Sequence, residues 1–177
     1  KAKSEFLSHF ESLLSGGNIT ETALANLPTA YDYIRLGHPL SSVLEWSIAK
    51  SYQINADQVI SFSSKTMAIL AVLRMNQQKR IATRIITKNI FPFSMLEIDT
   101  LKTVYGYDFE VIHLDDIPKE PFEGASIFIK ETELVHEFEI HKNVDYHINL
   151  HPLWGSIILT DSNNKDAIPK IQHVRRR

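Results

Sequence analysis

Apolar positions along the chain switch between two periods. Phe6, Phe10, Leu13 and Leu14 recur at helical spacing and halt at Ser15-Gly16-Gly17-Asn18, which predicts a first helix over about residues 3 to 15. The run from Tyr31 to Pro39 contains Gly37 and Pro39 and reads as irregular. Ser41 or Ser42 then caps a helix whose apolar positions are Val43, Leu44, Trp46, Ile48 and Ala49. Short apolar runs follow, separated by helical patterns. They predict strands near residues 58–62, 81–87, 109–114, 126–130 and 156–160, with helices carrying Met67, Ile69, Leu70, Val72 and Leu73 and spanning Phe93 to Tyr105.

Alternation of this kind specifies a three-layer α/β architecture, a mainly parallel sheet flanked by helices. Residues 131–155 carry four His and mixed polarity and read as a helix or an extra hairpin. With no repeat and no long Pro-, Gly- or Ser-rich linker, 1–177 is expected to be a single domain, 1–40 an N-terminal arm and helix and 41–177 the α/β layer.

Composition narrows the function. Nineteen Lys and Arg against 21 Asp and Glu give a formal charge of -2, so no positive field gathers nucleic acid or anionic membrane. The absence of Cys removes thiolate nucleophiles, Cys-ligated zinc and disulfides, and suits a reducing cytoplasm. Neither a signal peptide nor a membrane span is read, and the missing initiator Met suggests a trimmed chain. The tail ending Arg175-Arg176-Arg177 is basic, either a solvated helix end or a contact site.

Two stretches have a mechanism attached. Ser63-Ser64-Lys65-Thr66-Met67 falls where a strand turns into a helix, so free backbone N–H groups and the helix dipole make an anion site there. Equally, Ser63 or Ser64 is a plain N-cap. Thr160-Asp161-Ser162 follows the apolar run Ile157-Ile158-Leu159, and a carboxylate at a strand's carboxyl end is placed to hold a cation; a turn-forming or capping Asp is the alternative. His136, His141, His147 and His151 are spaced by 5, 6 and 4, which matches no zinc signature, so no metal is expected. Dinucleotide, P-loop and nucleophile-elbow motifs are missing.

Taken in order, three blocks resemble the Cys/Met-metabolism family of pyridoxal-phosphate enzymes, the fold-type I group that includes cystathionine synthases and lyases. Tyr33-Ile34-Arg35-Leu36-Gly37-His38-Pro39, with Leu44-Glu45 and Ile48-Ala49 after it, is similar to the family's YxRxGxP segment and LExxIA helix. Phe62-Ser63-Ser64-Lys65-Thr66-Met67-Ala68-Ile69 is similar to its FSSGMAAI turn, and Ile157 to Asn163 to its strand ending in VDNT. The resemblance implies that Tyr33 and Arg35 reach the cofactor phosphate of a neighbouring subunit, that the backbone of Ser64, Lys65 and Thr66 completes the phosphate cup, that Phe91 stacks on the ring and that Asp161 pairs with the pyridinium nitrogen. It also implies a homodimer, or a partner chain covering exposed surface.

Departures accompany the match. Lys65 replaces the Gly of the turn, Phe91 the usual Tyr, and Lys130-Glu131-Thr132-Glu133-Leu134 stands where the family has ExPxNP. The family's Schiff-base Lys lies well beyond the VDNT strand, and Lys165 and Lys170 come too early to match it. The expectation is a truncated or degenerate relative of a sulfur-amino-acid lyase or synthase, not catalytic alone; the alternative is a non-enzymatic binding or interaction protein of α/β fold.

Overall fold

The computed structural model describes residues 2–31, 37–88, 91–117, 122–133, 140–160, 164, 167–168 and 170–171. The chain divides into two compact units, residues 1–56 and 57–177, so the helix following Pro39 goes with the N-terminal segment.

In the first unit, α1 (Ala2–Ser15) ends as expected, with Gly17 at φ 67° and the Asn18 amide bonded to the Leu13 carbonyl. A short α2 (Glu21–Ala25) is capped by Thr20, and α3 spans Pro39–Ser51. Its start corrects the sequence reading. His38 is the cap, its Nδ1 accepting the Leu40 amide at 3.1 Å, because Pro39 is pre-set for the first helical position. The Ser41 and Ser42 amides already bond the His38 carbonyl, inside the helix. The buried face is Ser42, Glu45, Ile48 and Ala49, whereas Leu44 is exposed.

Phe6, Leu7 and Ala30 form this unit's core with Leu27, Tyr31, Val43 and Trp46 packed on it. Polar contacts tie α1 to α3: buried Glu45 pairs with Lys3, and Glu11 accepts from the Trp46 indole and from Lys50 at 2.9 Å. The indole hydrogen bond, and then the Lys50 ammonium, hold the Glu11 carboxyl below its usual range. A depressed folded value contributes stability that is present above the ordinary carboxyl value of 4.5 and lost as pH falls through the folded value. Urea unfolding of this unit is therefore expected to weaken on acidification, and Glu11→Gln to flatten that dependence; equal slopes in the two proteins would show that the contact contributes nothing.

The second unit holds a six-stranded sheet. β1 (Val59–Phe62) leads through α4 (Met67–Lys79) to β2 (Thr83–Thr87), then through α5 (Met95–Thr103) to β3 (Phe109–His113), β4 (Ala125–Glu131), β5 (Tyr146–His151) and β6 (Gly155–Thr160). The spatial order is β1-β6-β5-β4-β2-β3, and only β6 runs against its neighbours. Five strands are parallel, as the sequence pattern anticipates. The unexpected element is β5, with which β6 forms a hairpin inside the segment where a helix or hairpin was expected.

Register sorts the side chains. One face carries Ile60, Ile85, Ile127, Ile129, Ile148, Leu150 and Ile158, buried under Ile69, Val72 and Leu73 of α4 and under Ile168 and Ile171. On the other, Ile86 and Phe128 pack with Val144, Ile112 and Leu114, while Arg84 pairs with Glu110 and lies over the Phe122 ring. Among these side chains His147 is buried, its Nε2 accepting the His141 amide at 2.8 Å. α5 packs on the first of these faces through Leu101 and Ile98, and Leu114, on the return from β3 to β4, packs on the second.

Gly155 opens β6 at φ 117°, and a Cβ there would lie 2.1 Å from the Phe62 carbonyl oxygen. Gly155→Ala is expected to destabilise the second unit by about 2 kcal/mol or more, read as a lowered urea midpoint, because both the backbone angle and the approach to β1 must give way.

Candidate ligand site at the carboxyl end of the sheet

Parallel strands end together, and in open α/β sheets ligands bind outside those carboxyl ends. Here the sheet's order reverses between β2 and β4, and the segments leaving β1, β2, β4 and β5 meet at this end. The turn after β1 is built by its own hydroxyls. Ser64 Oγ accepts the Thr66 amide at 3.3 Å and lies 3.2 Å from Thr66 Oγ1, and the Ser64 carbonyl accepts the Ser156 hydroxyl at 2.6 Å. α4 begins only at Met67. Its N-cap is Thr66 rather than Ser63 or Ser64, and the Thr66 side chain makes no capping bond, so the first amides of a 13-residue helix face this end without a side-chain acceptor.

Lys65 reaches out of the turn. Its Nζ lies 2.9 Å from Glu131 Oε2, the last residue of β4, with both side chains part-buried. A pair of this exposure contributes roughly 0.5 kcal/mol to stability, and its larger effect is local: a carboxylate stands beside the cation of the turn. Phe91, beyond β2, packs against the apolar core with its ring centroid 5.3 Å from that of Phe93. After β5, His151 Nδ1 accepts the amides of Leu153 and Trp154, and its ring stacks on Trp154 at 4.4 Å, which holds two largely exposed apolar side chains at the hairpin tip.

Ser64, Lys65 and Thr66 follow β1 and Phe91 follows β2, so all four lie beyond the carboxyl ends of parallel strands, with β6, β5 and β4 between the two strands. Tyr33, Arg35 and Asp161 lie outside the described residues. β6 is the antiparallel strand, and Thr160, its last residue, pairs with Tyr146 at the start of β5. The end of β6 is therefore the opposite end of the sheet from the Ser64 turn. A run of apolar residues followed by Asp cannot report which way its strand points. Among the described residues no three His, Asp or Glu side chains converge as metal ligands, and no helix is long and apolar enough to cross a membrane.

One residue at this end was missed by the sequence reading. Asn149, on β5 two residues before its end, is 2% exposed, and its Oδ1 is buried without a hydrogen-bond partner. Leaving such an acceptor unmet costs about 1–3 kcal/mol. Its signal in the sequence was the alternation Tyr146, Ile148, Leu150 with polar residues between, a strand with one apolar face.

No protein-family profile and no curated protein matches the sequence. Solved structures do. The metB protein of Corynebacterium glutamicum superposes with a TM-score of 0.53 at 13% identity, over 85% of this chain and 49% of that one. A Listeria monocytogenes EGD-E protein provisionally assigned as an L-allo-threonine aldolase superposes with a TM-score of 0.52 at 16% identity, over 99% of this chain and 64% of that one. The likeness supports a mixed α/β fold with a six-stranded sheet flanked by helices. At these identities the likeness concerns the fold, and the chain spans half of the first neighbour and under two thirds of the second.

Proposed function

We propose that this chain is a degenerate or partial relative of a pyridoxal-phosphate-dependent lyase or synthase of sulfur amino acids, one that holds a phosphate-bearing ligand at the carboxyl end of its sheet and does not turn over substrate alone. The observation that carries the reading is the Lys65–Glu131 ion pair. Lys65 takes the place of a turn glycine in the family the sequence resembles, and its ammonium is engaged by a carboxylate 2.9 Å away.

The donor chemistry supports a phosphate. The uncapped first amides of α4 and the hydroxyls of Ser64 and Thr66 are the groups an anion takes at a helix N-terminus, and the Lys65 cation adds charge to that turn. When bound, pyridoxal phosphate supplies an electron sink. On this reading the chain's own part is to bind: the turn holds the phosphate, Phe91 offers an apolar face to the ring, and Tyr33 and Arg35 are further candidates from the sequence. Glu131 opposes an anion and weakens the site relative to a glycine turn.

Pyridoxal phosphate mixed with the purified chain is expected to give no borohydride-reducible aldimine band. A band abolished by replacing one particular lysine would overturn the non-catalytic half of the proposal. Because Tyr33 and Arg35 match residues that act across a subunit boundary in the resembling family, the same reading expects a two-fold dimer. Sedimentation at micromolar concentration checks it, a monomer counting against the assignment of those two residues.

A second reading, a binding protein without cofactor, is favoured by one feature. Leu153 and Trp154 are 79% and 77% exposed at a hairpin tip whose backbone and ring are fixed by His151.

A further inference from the structure

We infer that residues 140–144 form a strap over the sheet face opposite α4, a strap that neutral His147 locks and that is released when this imidazole takes a proton. The device stands apart from the ligand reading above, and neither depends on the other.

The lock is a hydrogen-bond acceptor. His147, on the central strand β5, is 2% exposed, and its Nε2 accepts the His141 amide at 2.8 Å. A ring nitrogen of imidazole accepts only while it is bare, and imidazolium carries a proton on both nitrogens, so charging His147 turns a donor toward the His141 donor. Burial acts in the same direction, since it penalises the charged ring. What the lock holds down is apolar. The His141 ring lies 4.1 Å from that of Phe128, and Val144 packs with Phe128 and Ile86 in the core of this face. Between the two, the strap turns through Asn143 at φ 68°.

Register names the groups around His147. Phe128 of β4 and Leu159 of β6 flank it directly, and both are uncharged. Two residues before it stands Asp145, whose carboxylate takes the Ser126 amide at 2.7 Å, the Ser126 hydroxyl at 2.9 Å and the Asn164 carboxamide at 3.0 Å. Two residues after it stands Asn149, level with Lys130 of β4. Level with Phe128, β2 has Ile86, between Arg84, paired with Glu110, and the exposed Lys88. The return from β3 brings Leu114, followed by the exposed Asp115 and Asp116. From the strap come exposed Lys142 and the His141 ring, parallel to that of His147 with centroids 6.3 Å apart. Lys130 and Lys142 oppose a proton on His147, while Asp145, the carboxylate of the same strand, is engaged by Ser126 and Asn164. The closed strap thus binds that proton less well than the open one. A group of this kind contributes stability that is whole above the open-state value, about 6.5 for a free imidazole, and is lost as pH falls below it; with one proton taken up on opening, the opening equilibrium rises about tenfold per pH unit.

Amide hydrogen exchange of the full chain, followed by nuclear magnetic resonance from about pH 7.5 to about pH 5, tests this. Protection of the His141 amide, taken relative to an unstructured chain at each pH, is expected to fall about tenfold per pH unit below about pH 6.5, while the Ile85 amide inside the parallel sheet keeps its protection. Equal losses at both amides would be general acid unfolding and would overturn the inference, as would constant protection at His141. Ring-nitrogen shifts of His147 in the same samples are expected to show Nδ1 protonated and Nε2 bare at the upper end, changing in step with the protection of His141; a doubly protonated ring at about pH 7.5 would sink the idea. His147→Gln puts a non-titrating carboxamide in the place of Nε2 and is expected to hold His141 protection level across the range. A pH dependence that survives this change places the proton elsewhere and refutes the lock. His141→Phe keeps both the ring on Phe128 and the backbone amide, and is expected to keep the pH dependence at residue 141; its disappearance would make His141 the switch and overturn the assignment to His147.

Discussion

The reversal of the chain between β5 and β6 sets the geometry of the second unit. Only with one antiparallel strand between them do β1 and β5 run the same way, and only then do the turn after β1 and the end of β5 reach the same end of the sheet. The reversal is close-fitting: Gly155 lies against the Phe62 carbonyl, Ser156 holds the Ser64 carbonyl, and His151 gathers the two amides of the connecting residues. Backbone angle, side-chain hydroxyl and imidazole nitrogen all act on the same few residues. The turn that carries Lys65 is therefore fixed from below by a hairpin some ninety residues later in the chain, as the separation of Ser156 from Ser64 records.

Much of the architecture is written locally. β1, β2, β3 and β4 are short apolar runs bounded by helical patterns, and buried strands of a parallel sheet have that appearance. β5 escaped because Tyr146, Ile148 and Leu150 face α4's side of the sheet while His147 and Asn149 face the other, so its run looks half polar although both faces are covered. α3 shows another limit. Two serines are good caps, but Pro39 with His38 before it starts the helix earlier, and the favourable first-turn angle of proline decides the matter.

The candidate site was legible in part. The turn of Ser64, Lys65 and Thr66 follows from strand-to-helix punctuation, and so does its place at a strand end. What Lys65 does there could not be read, since its partner Glu131 is 66 residues away and is brought near only by the sheet order. The direction of β6 illustrates the converse. Local pattern gives a strand followed by a carboxylate, but direction within a sheet is a tertiary property, and β6 points away from the end that the pattern assigned to it.

The two tryptophans of the chain divide between its two units and differ in surroundings. Trp46 is half-buried, its indole donating to Glu11 and its ring carrying the Lys50 ammonium at 5.6 Å, while Trp154 is open to water on one side and lies flat on an imidazole on the other. Indole emission reports polarity and proximity to a proton-carrying quencher, so each unit holds its own intrinsic fluorophore. Emission from Trp154 reports on its stacking against the His151 ring at the hairpin tip, and emission from Trp46 on the docking of α1 on α3, without any label being introduced.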